Sequence, residues 1–94
     1  MSIPDPATDL NANGIEFLKT DLETGLTFAS IAVNAGDDLA KKRRNQANAR
    51  KAYDTVLAWS RRIVLTKTDA HQIEEKLGKL QAILRSLGEE FKEN

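Results

Sequence analysis

Apolar residues recur every three or four positions in three separate stretches of the chain, and this spacing is typical of amphipathic helices. The first stretch predicts a helix over residues 15–35, and the second predicts a helix over residues 38–64. The third predicts a helix that is capped by Thr68 or Asp69 and that stops near Gly88. The apolar positions of the three predicted helices are Ile15, Leu18, Leu22, Leu26, Ala29 and Val33; Ala49, Ala52, Tyr53, Val56, Leu57, Trp59, Ile63 and Val64; and Ile73, Leu77, Leu80, Leu84, Leu87 and Phe91.

Short connections separate the predicted helices, so consecutive helices are expected to pack as antiparallel neighbours. We therefore predict an all-α, up-down-up antiparallel three-helix bundle over residues 14–94, which is a single domain of ordinary small size. Residues 1–13 contain both prolines and several small polar residues, which indicates a flexible N-terminal arm. The tail over residues 89–94 is expected to be loose. The basic first half of the second helix is expected to be mostly solvated and prone to fray.

Two glycines and two aspartates are expected to shape the first helix and the turn that follows it. Gly25 lies within the first apolar stripe, where glycine weakens a helix by about 1 kcal/mol relative to alanine. We expect it to permit the close approach of another helix. Gly36 is expected to adopt a left-handed conformation after the first helix. Asp37 or Asp38 then caps the second helix, because a carboxylate accepts hydrogen bonds from the free backbone N–H groups at a helix N-terminus.

Charges are unevenly distributed along the chain, although its formal net charge is zero. Residues 39–67 contain nine Lys or Arg and a single acid, Asp54, whereas acids outnumber bases on both sides. One interpretation is a cationic surface that binds the phosphates of RNA, DNA or a membrane. We favour a solvated helix face that balances acidic neighbours, because the pI is about 6.6 and no aromatic residue interleaves with the clustered bases. The basic residues concerned are Lys41, Lys42, Arg43, Arg44, Arg50 and Lys51.

The sequence contains no constellation of residues that is typical of catalysis or of metal binding. There is no cysteine, and His71 is the only histidine. His71 and Glu75 are spaced to share a metal ion on one helix face, but a tight site requires three or four ligands. Ser30 and Ser60 lie in apolar helix faces, where a hydroxyl usually bonds to a backbone carbonyl one turn earlier. We therefore predict a protein with no catalytic, metal-binding or cofactor-binding residues.

Exposed aromatic residues often dominate the binding of protein partners, so the large side chains of the second helix are of interest. Packing within the bundle is the favoured role of Tyr53 and Trp59. Because the two are six positions apart they do not share one line along the helix, and Trp59 is the better candidate for a surface groove. Leu10, Ile15 and Phe17 suggest a related hypothesis. If the first helix has more apolar surface than two neighbours can cover, the remainder would favour self-association.

Residues 48–57, Asn-Ala-Arg-Lys-Ala-Tyr-Asp-Thr-Val-Leu, resemble the second helix of a tetratricopeptide unit. The three-helix layout is also similar to the microtubule-interacting-and-transport domain, a tetratricopeptide-like bundle of comparable length. The chain departs from a tetratricopeptide repeat because its first helix is long, no proline closes the unit and no second repeat follows. The resemblance implies a helical interaction module, without a particular partner or particular binding residues.

These observations favour a non-catalytic helical protein that acts as a protein–protein interaction module, with another protein or a second copy of itself as the partner. Nucleic-acid binding through the basic start of the second helix is the alternative. The candidate partner-binding residues are the six basic residues named above and Trp59.

No apolar run approaches the roughly 20 residues of a membrane span, and the first residues lack the features of a secretory signal. A cytoplasmic location is therefore expected, which the absence of cysteine fits.

Overall fold

The computed structural model of the protein describes residues 6–92, with side chains from residue 13 onward. Helix α1 spans Pro6–Val33, α2 spans Leu39–Ser60 and α3 spans Lys67–Ser86. This part of the chain contains no strand, and its helices pack against one another as a bundle. The predicted all-α, three-helix fold is therefore confirmed.

Contacts between α1 and α2 show that these two helices run antiparallel. A Cβ atom placed on Gly25 would lie 2.9 Å from the Cβ atom of Ala52, so the two backbones approach closely at this point. Earlier in α1, a Cβ atom on Gly14 would lie 2.8 Å from Cδ1 of Ile63, which comes later in the chain than Ala52. The close approach predicted for Gly25 is confirmed, and the α1–α2 interface is the most extensive of the three.

Helix α3 runs in the same direction as α1 and covers one side of the α1–α2 hairpin. Near the start of α3, the Nζ atom of Lys19 lies 2.8 Å from Oδ1 of Asp69. Further along both helices, Lys76 forms an ion pair with Glu23. Because the pairs occur in the same order on the two helices, the topology is up-down-up, as predicted.

The core consists mainly of aliphatic side chains on the predicted apolar stripes. Tyr53 is its one aromatic member, and the Tyr53 hydroxyl accepts a hydrogen bond of 3.2 Å from Nε2 of Gln81. Three predicted stripe residues are instead exposed, Val33 at 53%, Trp59 at 47% and Val64 at 79%. Val33 is the last residue of α1, and Val64 lies beyond the end of α2. Trp59 is only half covered, so the favoured role of packing within the bundle holds for Tyr53 and not for Trp59. The buried cluster consists of Leu18, Leu22, Ala29, Ala49, Tyr53, Val56, Ile73, Leu77, Leu80 and Leu84.

Helix α1 begins at Pro6, well before the predicted start at residue 15. Proline is tolerated in the first turn of a helix, because an N–H group there would have no helical partner and the φ angle of proline already suits a helix. The boundary of the predicted arm over residues 1–13 is corrected accordingly. Residues 6–13 belong to α1, and residues 1–5 lie outside the described residues.

Helix α2 is continuous through its basic first half, where the sequence suggested fraying. The Asp38 carboxylate accepts a hydrogen bond of 3.0 Å from the backbone N–H of Lys41, so the predicted cap forms. Asn45 is buried, and its Nδ2 atom donates to the carbonyl oxygen of Lys41 at 2.8 Å. The helix ends at Ser60, before the predicted end at residue 64.

Thr66 caps α3, in place of the predicted Thr68 or Asp69. The Thr66 hydroxyl accepts a hydrogen bond of 3.1 Å from the backbone N–H of Asp69 and donates one of 3.0 Å to its carboxylate. This reciprocal bonding across a Thr-x-x-Asp spacing is similar to a capping box, with Asp in the position usually held by Glu or Gln. Helix α3 therefore begins at Lys67, slightly earlier than the predicted caps imply.

A glycine turn ends α3, as predicted. Gly88 adopts a φ angle of 98°, which only glycine reaches without strain, and its N–H donates to the carbonyl of Arg85 at 3.0 Å. The N–H of Glu89 donates to the carbonyl of Leu84 at 2.9 Å, which completes a Schellman motif. Gly36, in the loop after α1, adopts the expected left-handed conformation with a φ angle of 61°.

The segment after α3 packs on α2, so the prediction of a loose tail is wrong for residues 89–92. The ring of Phe91 lies edge to face with that of Tyr53, with 4.8 Å between the ring centroids. The guanidinium carbon of Arg50 lies 4.1 Å from the centroid of the Phe91 ring, and Nη1 of Arg50 donates to the carbonyl oxygen of Glu90 at 2.8 Å. The apolar stripe of α3 thus continues through the glycine turn to a docked aromatic residue. The last two residues of the chain lie outside the described residues.

We predict that Gly25→Ala lowers the free energy of unfolding by about 1 kcal/mol. Crowding in a packed interface costs about 1–3 kcal/mol, and the gain of about 1 kcal/mol in helix propensity offsets this only in part. Gly78→Ala is the matched control, because Gly78 is helical and a Cβ atom there would meet nothing within 4 Å. This control should be stabilised by roughly 0.5–1 kcal/mol. Urea unfolding of both variants checks the prediction, and equal stabilisation of the two would contradict the close approach.

We predict that Phe91→Ala lowers the free energy of unfolding by about 1–2 kcal/mol, since it removes an aromatic pair and a cation–π contact along with partly buried apolar surface. The neighbouring Lys92 is exposed, so Lys92→Ala should change stability by less than about 0.5 kcal/mol. Urea unfolding measures both effects. Amide hydrogen exchange gives a second readout, because in the Phe91→Ala variant protection should be lost first at the C-terminal end of α3.

Candidate protein-binding surface

Two aromatic side chains from different helices lie exposed beside the same groove near one end of the α1–α2 hairpin. Phe17 on α1 is 52% exposed, and Trp59 on α2 is 47% exposed. Together with Asn13, Gly14 and Ile63 they line an open groove with mainly apolar walls. The absence of a side chain on Gly14 lets Ile63 approach α1, and this approach closes the floor of the groove.

A second groove lies along the same seam between α1 and α2 and shares Phe17 with the first. Phe28 lines it further along α1, and this side chain also packs against the core, which holds it in place. On the α2 side the groove is lined by polar and small residues, including Lys51 and Thr55. We call the two grooves together the α1–α2 face, which is lined mainly by Phe17, Asp21, Phe28, Lys51, Thr55 and Trp59.

Helix α3 lies on the opposite side of α1 from this face. Residues two positions apart are rotated by about 200° around the helix axis, so their side chains lie on nearly opposite sides of the helix. Phe17 lies two positions before Lys19, which pairs with α3. Asp21 lies two positions before Glu23, which also pairs with α3. The residues of the α1–α2 face therefore point away from the helix that completes the bundle, and α3 leaves them uncovered.

Asp21 is the one carboxylate among the residues that line the α1–α2 face. Burial raises the pKa of Asp21 above its ordinary value of 3.8, because the charged form is partly withdrawn from water. Within the part of the chain that the structure describes, Asp21 forms no ion pair that would offset this effect. The groove already desolvates this side chain in the absence of any partner.

Only three of the six predicted basic residues come together, because Arg43, Arg50 and Lys51 line one open groove on α2 beside Asp54 and Glu89. Lys41, Arg43, Arg44 and Lys51 are exposed and Lys42 is half-exposed. None of these five forms an ion pair with another residue in the range 13–92. Only Lys51 lines the α1–α2 face, whereas the other four lie in the first two turns of α2.

Arg50, the remaining predicted basic residue, is occupied within the bundle. Its Nε atom lies 3.1 Å from Oδ1 of Asp54, and its Nη1 atom lies 3.5 Å from Oε1 of Glu89. Gln46 adds a hydrogen bond of 2.7 Å from Nε2 to the other oxygen of Glu89. With the cation–π contact to Phe91, these bonds make Arg50 the anchor of the C-terminal segment.

The residues considered for catalysis and metal binding lie apart from this face. His71 and Glu75 are exposed on α3, and Glu75 forms an ion pair with Lys79, four positions later, at 3.7 Å. Among residues 13–92, no group of three or more His, Cys, Asp or Glu is placed to hold a metal ion. The hydroxyl of Ser60 donates to a backbone carbonyl three residues earlier at 2.9 Å, as expected, whereas Ser30 is exposed.

Trp59 is the only residue of the face that the sequence singled out as a surface aromatic residue. The apolar pattern marks Phe17 only as surplus, and Phe28 lies outside the apolar positions named for the first helix. The spacing of Phe17, Asp21 and Phe28 by four and seven positions indicates a common line on a helix, and this was the signal available. It does not reveal which neighbour covers that line, because the side occupied by α3 is decided by tertiary packing.

Comparisons with known proteins do not assign this chain to a group. No family model, no curated protein and no solved structure matches it. The tetratricopeptide-like resemblance of residues 48–57 stays a prediction. In the described part of the chain, none of the helices is both long and apolar enough to span a membrane.

We predict opposite effects of neutralising two aspartates. Hydrogen bonds from Lys19 and then Thr66 lower the pKa of the Asp69 carboxyl below 3.8. Its contribution to stability is therefore present above this pH and is lost as the pH falls through the lower folded value. For Asp21 the folded pKa is raised, so ionisation above 3.8 disfavours the folded state.

Asp69→Asn should therefore lower the free energy of unfolding at neutral pH, and Asp21→Asn should raise it. Both differences from the wild type should shrink below about pH 3, where the two carboxyls are largely protonated in the unfolded chain. Urea unfolding of the three proteins at neutral and acidic pH checks the prediction. A change of the same sign in both variants at neutral pH would contradict the assigned environments.

Proposed function

We propose that this protein is a non-catalytic helical module that binds another protein through the α1–α2 face. The observation that supports this most directly is the pair of half-exposed aromatic residues, Phe17 and Trp59, on either side of one apolar groove. Single exposed apolar residues are ordinary on protein surfaces, whereas contiguous apolar patches are associated with interaction sites.

The physical advantage of this face as a binding site is that its shape exists before the partner arrives. Phe28 packs against the core, and the close contacts of Gly14 with Ile63 and of Gly25 with Ala52 bring the two segments together below the groove. A partner therefore has few side chains to immobilise, and the cost of ordering them at the interface is small. Tryptophan and other large aromatic residues are also enriched among the residues that contribute most to protein binding.

Nucleic-acid binding, the alternative expected from the basic start of α2, is less well supported. Arg50 is engaged by Asp54, Glu89 and Phe91 rather than presented to a ligand. The chain as a whole has a formal net charge of zero. The resemblance to tetratricopeptide units adds an analogy in favour of protein binding. The proposal keeps the cytoplasmic location expected from the sequence.

We predict that Trp59→Ala and Phe17→Ala each weaken the binding of a protein partner by roughly 30-fold, which corresponds to about 2 kcal/mol. The immobilised wild-type protein and the variants are compared in quantitative affinity capture from extracts of the native cells. Leu39→Ala is the matched control, because Leu39 is 58% exposed but lies at the start of α2, away from the face.

Proteins captured by the wild type and by Leu39→Ala, but lost with both aromatic variants, would support the proposal. Thermal unfolding followed by circular dichroism verifies that the variants remain folded. Capture that is equal for all four proteins would contradict a role of the α1–α2 face.

A further inference from the structure

The α1–α2 face has charged residues along one edge only. On α2, residues at intervals of three or four positions follow one line, and this line carries Lys41, Arg44 and Lys51 at its basic positions. Arg62, just beyond the end of α2, extends the line, and its guanidinium carbon lies 5.5 Å from the centroid of the Trp59 ring. No acid occurs at the positions between them on this line, which are Asn48, Thr55 and Trp59.

The opposite edge of the face, on α1, is polar but uncharged. Thr20 and Thr24 are both exposed there, one turn apart. Asp21 lies between the two edges, within the groove rather than on its rim, and it is half-buried. The face therefore combines an apolar floor with a cationic edge on α2 and a neutral edge on α1.

The length of the face suits a helix. Gly14 and Phe28 mark its two ends on α1, and at 1.5 Å per residue they are separated by about 21 Å. Four turns of an α-helix have about this length. A helix that lies in the seam would pack on α1 and α2 from the side opposite α3, and it would complete a four-helix arrangement.

We propose that the partner contributes an amphipathic α-helix of about four turns, with acidic residues on the flank that faces α2. Its apolar stripe covers Phe17, Phe28 and Trp59, and its carboxylates lie beside Arg44, Lys51 and Arg62. The other flank of the partner helix is neutral and lies along the uncharged α1 edge. The charge pattern therefore also fixes the rotation of the partner helix about its own axis. This inference rests on the proposed function and adds the chemistry of the partner to it.

A second copy of the chain fits the face less well than such a partner. The described part of the chain offers no free helix with an apolar stripe beside an acidic flank. The apolar stripe of α3 is buried in its own core, and α2 is itself basic along the line that borders the face. Two copies joined through this face would bring the cationic edges of their α2 helices near each other.

A pair of synthetic peptides tests the inference. Each has about 18 residues and a leucine stripe at helical spacing; one carries Glu along the flank of the stripe, and the other carries Lys at the same positions. Neither contains tryptophan, so binding is followed through the fluorescence of Trp59, the only tryptophan of the protein. The titrations use the full chain at low ionic strength, where charge effects are least screened.

We expect the Glu peptide to bind at least about tenfold more tightly than the Lys peptide, and added salt to reduce this ratio. In the Lys51→Glu, Arg62→Glu double variant the preference should reverse. Lys42→Glu, Arg43→Glu is the matched control with the same change of charge, because both residues lie in the first two turns of α2, off this line and outside the face. This control should keep most of the preference for the Glu peptide.

Other outcomes overturn the inference in distinguishable ways. Equal binding of the two peptides would contradict the acidic flank of the partner helix, but it would not contradict protein binding through the α1–α2 face. If neither peptide binds while affinity capture still depends on Trp59, the partner is not a helix of this kind. Tight binding of a single-stranded oligonucleotide in place of the peptides would favour nucleic acid. A concentration-dependent dimer in sedimentation, abolished by Trp59→Ala, would favour a second copy.

Discussion

The close contact of α1 with α2 at Gly25 is the constraint on which the rest of the bundle depends. At this point the backbone of α1 lies against the Cβ atom of Ala52, and Cδ2 of Leu80 from α3 lies 3.1 Å from the place that a Cβ atom on Gly25 would occupy. All three helices therefore meet at a residue without a side chain. A packed interior has little room for adjustment, so the position of α3 follows from the way in which α1 and α2 meet.

That arrangement divides the surface of the α1–α2 hairpin into two unequal sides. On one side, α3 buries its aliphatic stripe and is fixed by the ion pairs of Lys19 and Glu23. On the other side, Phe17 and Trp59 remain about half-exposed, although they belong to the same two helices. The α1–α2 hairpin has apolar surface on a second side, which α3 does not cover. Phe17 and Trp59 lie on that uncovered side.

The fold could be predicted from the sequence because helix periodicity and short connections are local properties. Gly25, Gly88 and the Asp38 cap could be predicted for the same reason, since each depends on the chemistry of one residue in its own helix or turn. The docking of Phe91 could not be predicted, because it depends on Arg50 and on the direction that the glycine turn gives to the chain. The α1–α2 face depends on where α3 packs, so the sequence offered Trp59 as a candidate for a surface groove, with packing favoured, and did not reveal the groove itself.

Nuclear Overhauser effects in the free protein test both the contact at Gly25 and the uncovered α1–α2 face, because they report which protons lie within a few ångströms of each other. We expect cross-peaks from the α protons of Gly25 to the methyl groups of Ala52 and Leu80. We expect no cross-peaks from the ring protons of Phe17 and Trp59 to methyl groups of α3. Cross-peaks between these rings and α3, with none from Gly25 to Ala52, would contradict the account.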